Sequence, residues 1–118
     1  MLKKFLLAAL IIFAVNSVAS AEHTFKVTNN TGKTITQIYI SPTAENNWKM
    51  QTFGDLYDGE TTEITFDPSP FLPRPMLRYF DIGVNYDDFT QETWFGLDLY
   101  NYAEIHLKRG EFSTVYKN

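Results

Sequence analysis

The chain has 118 residues, a formal net charge of −4, 16% aromatic residues and no cysteine. That bounds it to one small domain. Thiol catalysis, disulfide exchange and thiolate metal sites are excluded, and the acidic balance argues against nucleic acid and anionic membranes, both of which need a basic footprint.

Residues 1–21 read as a secretory signal peptide. Lys3 and Lys4 form a basic n-region, Phe5 to Val15 is an unbroken apolar run of 11, and Ala19-Ser20-Ala21 offers a small-residue cleavage site. Eleven helical residues rise about 16 Å against a hydrocarbon core of about 30 Å, too little to span it. The expectation is a periplasmic or secreted bacterial protein in which residues 22–118 form one domain with no membrane span. Those 97 residues carry 8 Lys+Arg against 14 Asp+Glu, a net of −6, and about 37% of them are apolar, nearly half of these aromatic. The core must then be built from large rings, each burying about 150–250 Å².

The remaining sequence reads as strands and turns. Phe25 and Val27 alternate with Thr24, Lys26 and Thr28, and Asn29-Asn30-Thr31-Gly32 supplies turn chemistry. Thr34 to Ile40 is a second strand whose apolar positions break parity between Ile35 and Ile38, which predicts a bulge near Thr36-Gln37. The two strands are expected to form an antiparallel hairpin. Residues 43–59 read as a long connection, and Glu60 to Phe66 as a third strand. Residues 67–75 hold four of the five prolines and read as an extended loop. Leu77 to Tyr86 is a fourth strand with Phe80, Ile82, Val84 and Tyr86 on one face. Phe89 to Phe95 returns as a fifth after an Asp87-Asp88 turn, residues 96–102 are irregular, and Ala103 to Leu107 and Phe112 to Tyr116 complete the set. About seven short strands separated by turn signals predict an all-β fold, an antiparallel sandwich, with barrel closure as the open alternative.

Asn29-Asn30-Thr31-Gly32-Lys33-Thr34-Ile35, Tyr39-Ile40-Ser41, Trp48, Gly54 and Phe80-Asp81 together resemble a family of small exported bacterial β-proteins of unknown function. Its pattern is N-x-T-G-x-T-I, then Y-x-S, a lone W, a G six residues later and C-x-F-D; here the resemblance covers residues 24–107, with Gly59 at a further turn glycine. Some members carry the label argininosuccinate lyase, an activity of large helical tetramers whose composite active site a domain of this size cannot supply. The family's cysteine positions fall at Arg78 and Tyr100, so the resemblance implies that these two residues lie close, within the roughly 7 Å between Cα atoms that a disulfide spans. They are expected to pack as a cation–π pair.

Four constellations bear on function. Asp81, Asp87, Asp88 and Asp98 are weak calcium candidates, because calcium needs 6–8 converging oxygens and the ordered spacing of a calcium loop is absent. His23 and His106 lack the further ligand a zinc site requires. The glutamates alternate with apolar residues as the wet face of strands, and no nucleophile-elbow, metalloprotease or phosphate-loop motif occurs, so the chain is read as no enzyme and as needing no cofactor. The remaining signal is aromatic: Trp48, Phe53, Tyr57, Trp94, Phe95, Tyr100 and Tyr102 fall in connections or near strand ends, where rings anchor partners. The expected function is binding, to another protein or a cell-envelope component, by a monomer or weak oligomer. The alternatives are an inhibitor or immunity protein against a basic exported enzyme such as a lysozyme, steered by the acidic charge, and a calcium- or sugar-binding module.

Overall fold

The structure, a computed structural model, describes residues 23–68 and 78–117. The segment read as a leader and most of the proline-rich segment lie outside them. Eight strands form: β1 His23–Asn30, β2 Ile35–Pro42, β3 Lys49–Leu56, β4 Thr61–Phe66, β5 Phe80–Tyr86, β6 Gln91–Leu97, β7 Tyr102–Lys108 and β8 Glu111–Tyr116, with a 3₁₀ turn at Leu99–Asn101. They make two four-stranded sheets, β4-β1-β7-β8 (sheet I) and β3-β2-β5-β6 (sheet II). The pairings are antiparallel except that β1 runs parallel to β7. Each sheet keeps two edges, so the architecture is a sandwich and not a closed barrel.

Period-2 alternation explains which faces meet. Phe25 and Val27 on β1, Ile64 and Phe66 on β4, and Ile105 and Leu107 on β7 point inward from sheet I. Ile35, Ile38 and Ile40 on β2 and Phe80, Ile82, Val84 and Tyr86 on β5 point inward from sheet II. The parity break in β2 is a register shift between Ile35 and Gln37, where the bulge was expected. Phe66 and Phe80 meet edge to face across the core, with ring centroids 4.8 Å apart.

Two expectations are corrected. First, β1 and β2 do not form a hairpin; they lie in opposite sheets. The Asn29 side chain is the reason. It is fully buried, its Nδ2 donates to the carbonyls of Lys33 (2.7 Å) and Leu56 (2.8 Å), and its Oδ1 accepts from the backbone N–H (3.0 Å) and hydroxyl (2.7 Å) of Thr31. Its own carbonyl accepts from Gly59 N–H at 2.6 Å, and its N–H donates to the Glu60 carbonyl. One amide thus ties the β1–β2 crossover to the β3–β4 turn, and the chain steps between sheets instead of folding back.

Second, residues 43–59 are not a single connection, because β3 occupies Lys49–Leu56. It is the edge of sheet II, and Leu56 alone among its residues is buried. A smaller correction concerns Phe89: it belongs to the β5–β6 turn, with φ 68° and 97% exposure, so β6 begins at Gln91.

At the opposite edge the sheets are latched through β6. The Trp94 Nε1–H donates to the carbonyls of both Lys108 and Glu111, 2.9 Å each. Glu92, expected on a wet face, instead accepts from Tyr86 OH (2.7 Å), Arg109 Nε (3.0 Å) and Gly110 N–H (2.7 Å). Burial, reinforced by the bond to Glu92, pushes the Tyr86 phenol well above its usual range.

Candidate functional site

The outer face of sheet II is laid out by strand register. Because directly paired residues share a face, the pairings Tyr39–Met50, Tyr39–Gly83 and Gly83–Thr93 make one row running across all four strands. Gln37–Phe53, Gln37–Asn85 and Asn85–Gln91 make the next. Four strands span about 15 Å, and successive rows lie about 7 Å apart along them.

In the first row Gly83 is buried, although it faces outward, because the Trp48 indole covers it. A Cβ at position 83 would stand 3.3 Å from Trp48 Cζ3, 3.5 Å from Cη2 and 3.7 Å from Cε3. The glycine makes a recess that accepts one edge of the ring, and Trp48 is half-buried there.

The loop that delivers Trp48 is held from below. Asp81, 2% exposed, accepts from Thr43 Oγ1 (2.9 Å), Ala44 N–H (3.0 Å) and Gly96 N–H (2.9 Å). Ser41, fully buried, accepts from Asn47 N–H at 2.9 Å. These bonds hold Ala44 (φ 64°) and Asn46 (φ 54°) in the left-handed region, which alanine occupies only at a cost. The residues that resemble the family pattern therefore divide into two tasks: Asn29, Thr31 and Gly59 close the crossover, and Ser41 and Asp81 seat Trp48 beside Tyr39.

Two hollows open on this face. One, about 380 Å³, is lined by Tyr39, Trp48 and Phe95 with Asn46, Asn85 and Gln91 among its polar groups. The other, about 470 Å³, lies beside Phe53 and Phe89 and includes Thr36, Gln37, Asp55 and Asp87. Asn85 and Gln91 line both, so the hollows form one trough. Asn85 Nδ2 donates to Gln37 Oε1 at 2.5 Å, which orients the two amides within the second row. No lysine or arginine lines either hollow.

The expected aromatic residues separate accordingly. Trp48, Phe53 (79% exposed) and Phe95 (67% exposed) are gathered on this face. Trp94 and Tyr102 are core residues, which corrects their reading as surface anchors; Tyr102 packs edge to face on Tyr116. Tyr57 is exposed in the β3–β4 turn, and Tyr100 is half-buried between His23 (4.5 Å) and Phe80 (5.6 Å). Tyr39, Gly83, Asn85 and Phe89 also belong to the face; of these only Tyr39 stands out in the sequence, as part of the family motif and not as an anchor.

The expected cation–π pair of Arg78 with Tyr100 is not formed: Arg78 donates to Asp98 Oδ2 at 3.2 Å and lies over the Tyr79 ring at 5.1 Å instead.

The aspartates do not assemble a cation site. Asp81 and Asp98 lie at the start of β5 and the end of β6, whereas Asp87 and Asp88 follow the far end of β5, about 20 Å away at strand rise. Both Asp81 oxygens already accept from protein donors. Asp88 is held by Thr90 and by Lys33 Nζ at 2.9 Å, which keeps its carboxyl well below the usual range. Among the described residues no group of three or more acidic or histidine side chains could hold a metal.

No family model and no curated protein matches this chain. Among solved structures, an NMR structure of a protein from Eubacterium rectale is similar over 83% of this chain and 90% of that one, with a TM-score of 0.50 and 12% sequence identity. At that identity the likeness bears on the fold alone.

Proposed function

We propose that this chain is an exported, non-catalytic binding protein, akin to the small exported β-proteins its motifs resemble, and that it binds through the outer face of sheet II. Export rests on the leader at residues 1–21. The binding reading rests on one observation above all: the buried Asp81 and Ser41 pin a strained loop so that Trp48 lies half-buried in a glycine recess on the outer face and not in the core. A ring serving only to fill the core would be placed between the sheets, as Trp94 is.

Two carboxylates beside the face are taken up by the fold: Asp81 and Glu92 each accept three protein hydrogen bonds.

Co-sedimentation with a bacterial cell-envelope fraction tests the reading. The wild-type protein is expected to pellet with the envelope, and Trp48→Ala to lose most of that association at unchanged melting temperature. Equal pelleting by both forms would remove the face from consideration.

A further inference from the structure

The chemistry of the trough selects among ligand classes. It has rings at both ends, Tyr39, Trp48 and Phe95 at one and Phe53 and Phe89 at the other. Between them lies the amide row Gln37, Asn85 and Gln91, flanked by Thr93 and by Thr36 and Thr90, whose hydroxyls already donate to the Asn85 carbonyl and to Asp88. Amide and hydroxyl groups both donate and accept. They therefore match a ligand whose own groups do both at many points, as sugar hydroxyls do.

Charge narrows the class. Anionic polymers are recognised by Lys and Arg, and the trough has neither, while Asp55 and Asp87 border its second hollow. A lipid or wholly apolar peptide would cover the amide donors and acceptors that Asn85 and Gln37 do not spend on each other, at a cost for each polar group so buried. The apolar C–H faces of a sugar ring, by contrast, suit Trp and Tyr surfaces, and its rim hydroxyls suit the amides.

Shape agrees. The two hollows share Asn85 and Gln91 as lining, and volumes of about 380 and 470 Å³ fall within the range of small-molecule sites. An open trough floored by a sheet admits a chain passing through, whereas a closed pocket would admit only a terminus.

We propose that the outer trough of sheet II binds an extended, uncharged polysaccharide, with Trp48 as its principal stacking platform and the Gln37–Asn85–Gln91 row as its hydrogen-bonding belt. This rests on the assignment of the face as the binding surface.

The test is isothermal titration of the full folded domain with soluble neutral α- and β-linked glucans, xylan and mannan, with neutral oligosaccharides of increasing length, and with polygalacturonate as the anionic control. At least one neutral polysaccharide is expected to bind, with affinity rising with oligosaccharide length until the trough is filled, and polygalacturonate to bind at least tenfold more weakly. Trp48→Ala is expected to weaken the neutral ligand tenfold or more. Asn85→Ala is expected to weaken it severalfold while leaving the melting temperature within a few degrees. Binding of no neutral glycan, while envelope association still depends on Trp48, would overturn the ligand class and leave the face. Glycan binding that Trp48→Ala and Asn85→Ala leave unchanged would overturn the trough. A self-association abolished by Phe53→Ala would identify a second copy of the chain as the occupant and also overturn the proposal.

Discussion

Asn29→Asp is expected to destabilise the domain by about 3 kcal/mol or more at pH 7, although it changes one group for another of the same shape. Two hydrogen bonds to the Lys33 and Leu56 carbonyls are lost. Each is worth about 1 kcal/mol net, and each leaves a carbonyl facing an acceptor. The introduced carboxylate is also fully buried, and the ammonium of neighbouring Lys33 is already paired with Asp88, so the buried charge adds a larger penalty. The sign of its pH dependence follows. Only the protonated acid can donate to a carbonyl, so the folded state raises the introduced group's pKa above the unfolded value near 3.9. The deficit relative to wild type is therefore smallest below about pH 4 and grows as pH rises through the folded pKa. Urea melts at pH 4 and pH 7 read both quantities. A difference from wild type under about 1 kcal/mol at pH 7 would mean that the amide does not close the crossover. Thr24→Ala, at an exposed hydroxyl pair with Thr65 on β4, serves as the small-effect control.

Gly83→Val separates the binding face from the fold. Position 83 sits within β5, where its φ is compatible with any side chain, and valine favours extended backbone. Even an alanine Cβ would lie 3.3 Å from the Trp48 ring, and the two additional methyl groups of valine require the space that ring occupies. The indole is expected to leave its recess, with a red-shifted tryptophan emission and at least a tenfold loss of envelope or glycan association. The core beneath, on the other face of β5, is untouched, so the melting temperature should fall by only a few degrees. Gly83→Ala should be intermediate, since a ring edge can yield by a few tenths of an ångström. Full association by Gly83→Val would mean that the seat of Trp48 is irrelevant to binding.

Sequence patterning carries the fold class and most inward faces. The alternation of Phe80, Ile82, Val84 and Tyr86 is visible in the order of residues alone, and so is the parity break that becomes the β2 bulge. The sheet assignment of β1 and β2 is not visible in this way. Asn29-Asn30-Thr31-Gly32 has the composition of a hairpin turn, and only the three-dimensional neighbours of Asn29 make it a crossover. Strand β3 escapes detection because an edge strand with one buried residue need not alternate.

The site divides in the same way. Trp48, Phe53 and Phe95 stand out as rings outside obvious core positions. Tyr39, Gly83 and Asn85 become neighbours of those rings only through the pairing of β2 with β5 and β5 with β6. Trp94 and Tyr102 mislead for the converse reason. Both sit beside strand boundaries in the sequence, yet Trp94 finds two carbonyl partners in the β7–β8 turn and Tyr102 packs into the core.

The assignment of the binding face can be tested without knowing the ligand. A photoreactive phenylalanine analogue placed at Phe95, at Phe53, or at the exposed Thr65 on the opposite sheet would be irradiated in cells that export the protein. Adducts are predicted from positions 95 and 53 and not from 65; adducts from position 65 alone, or equally from all three, would contradict the account.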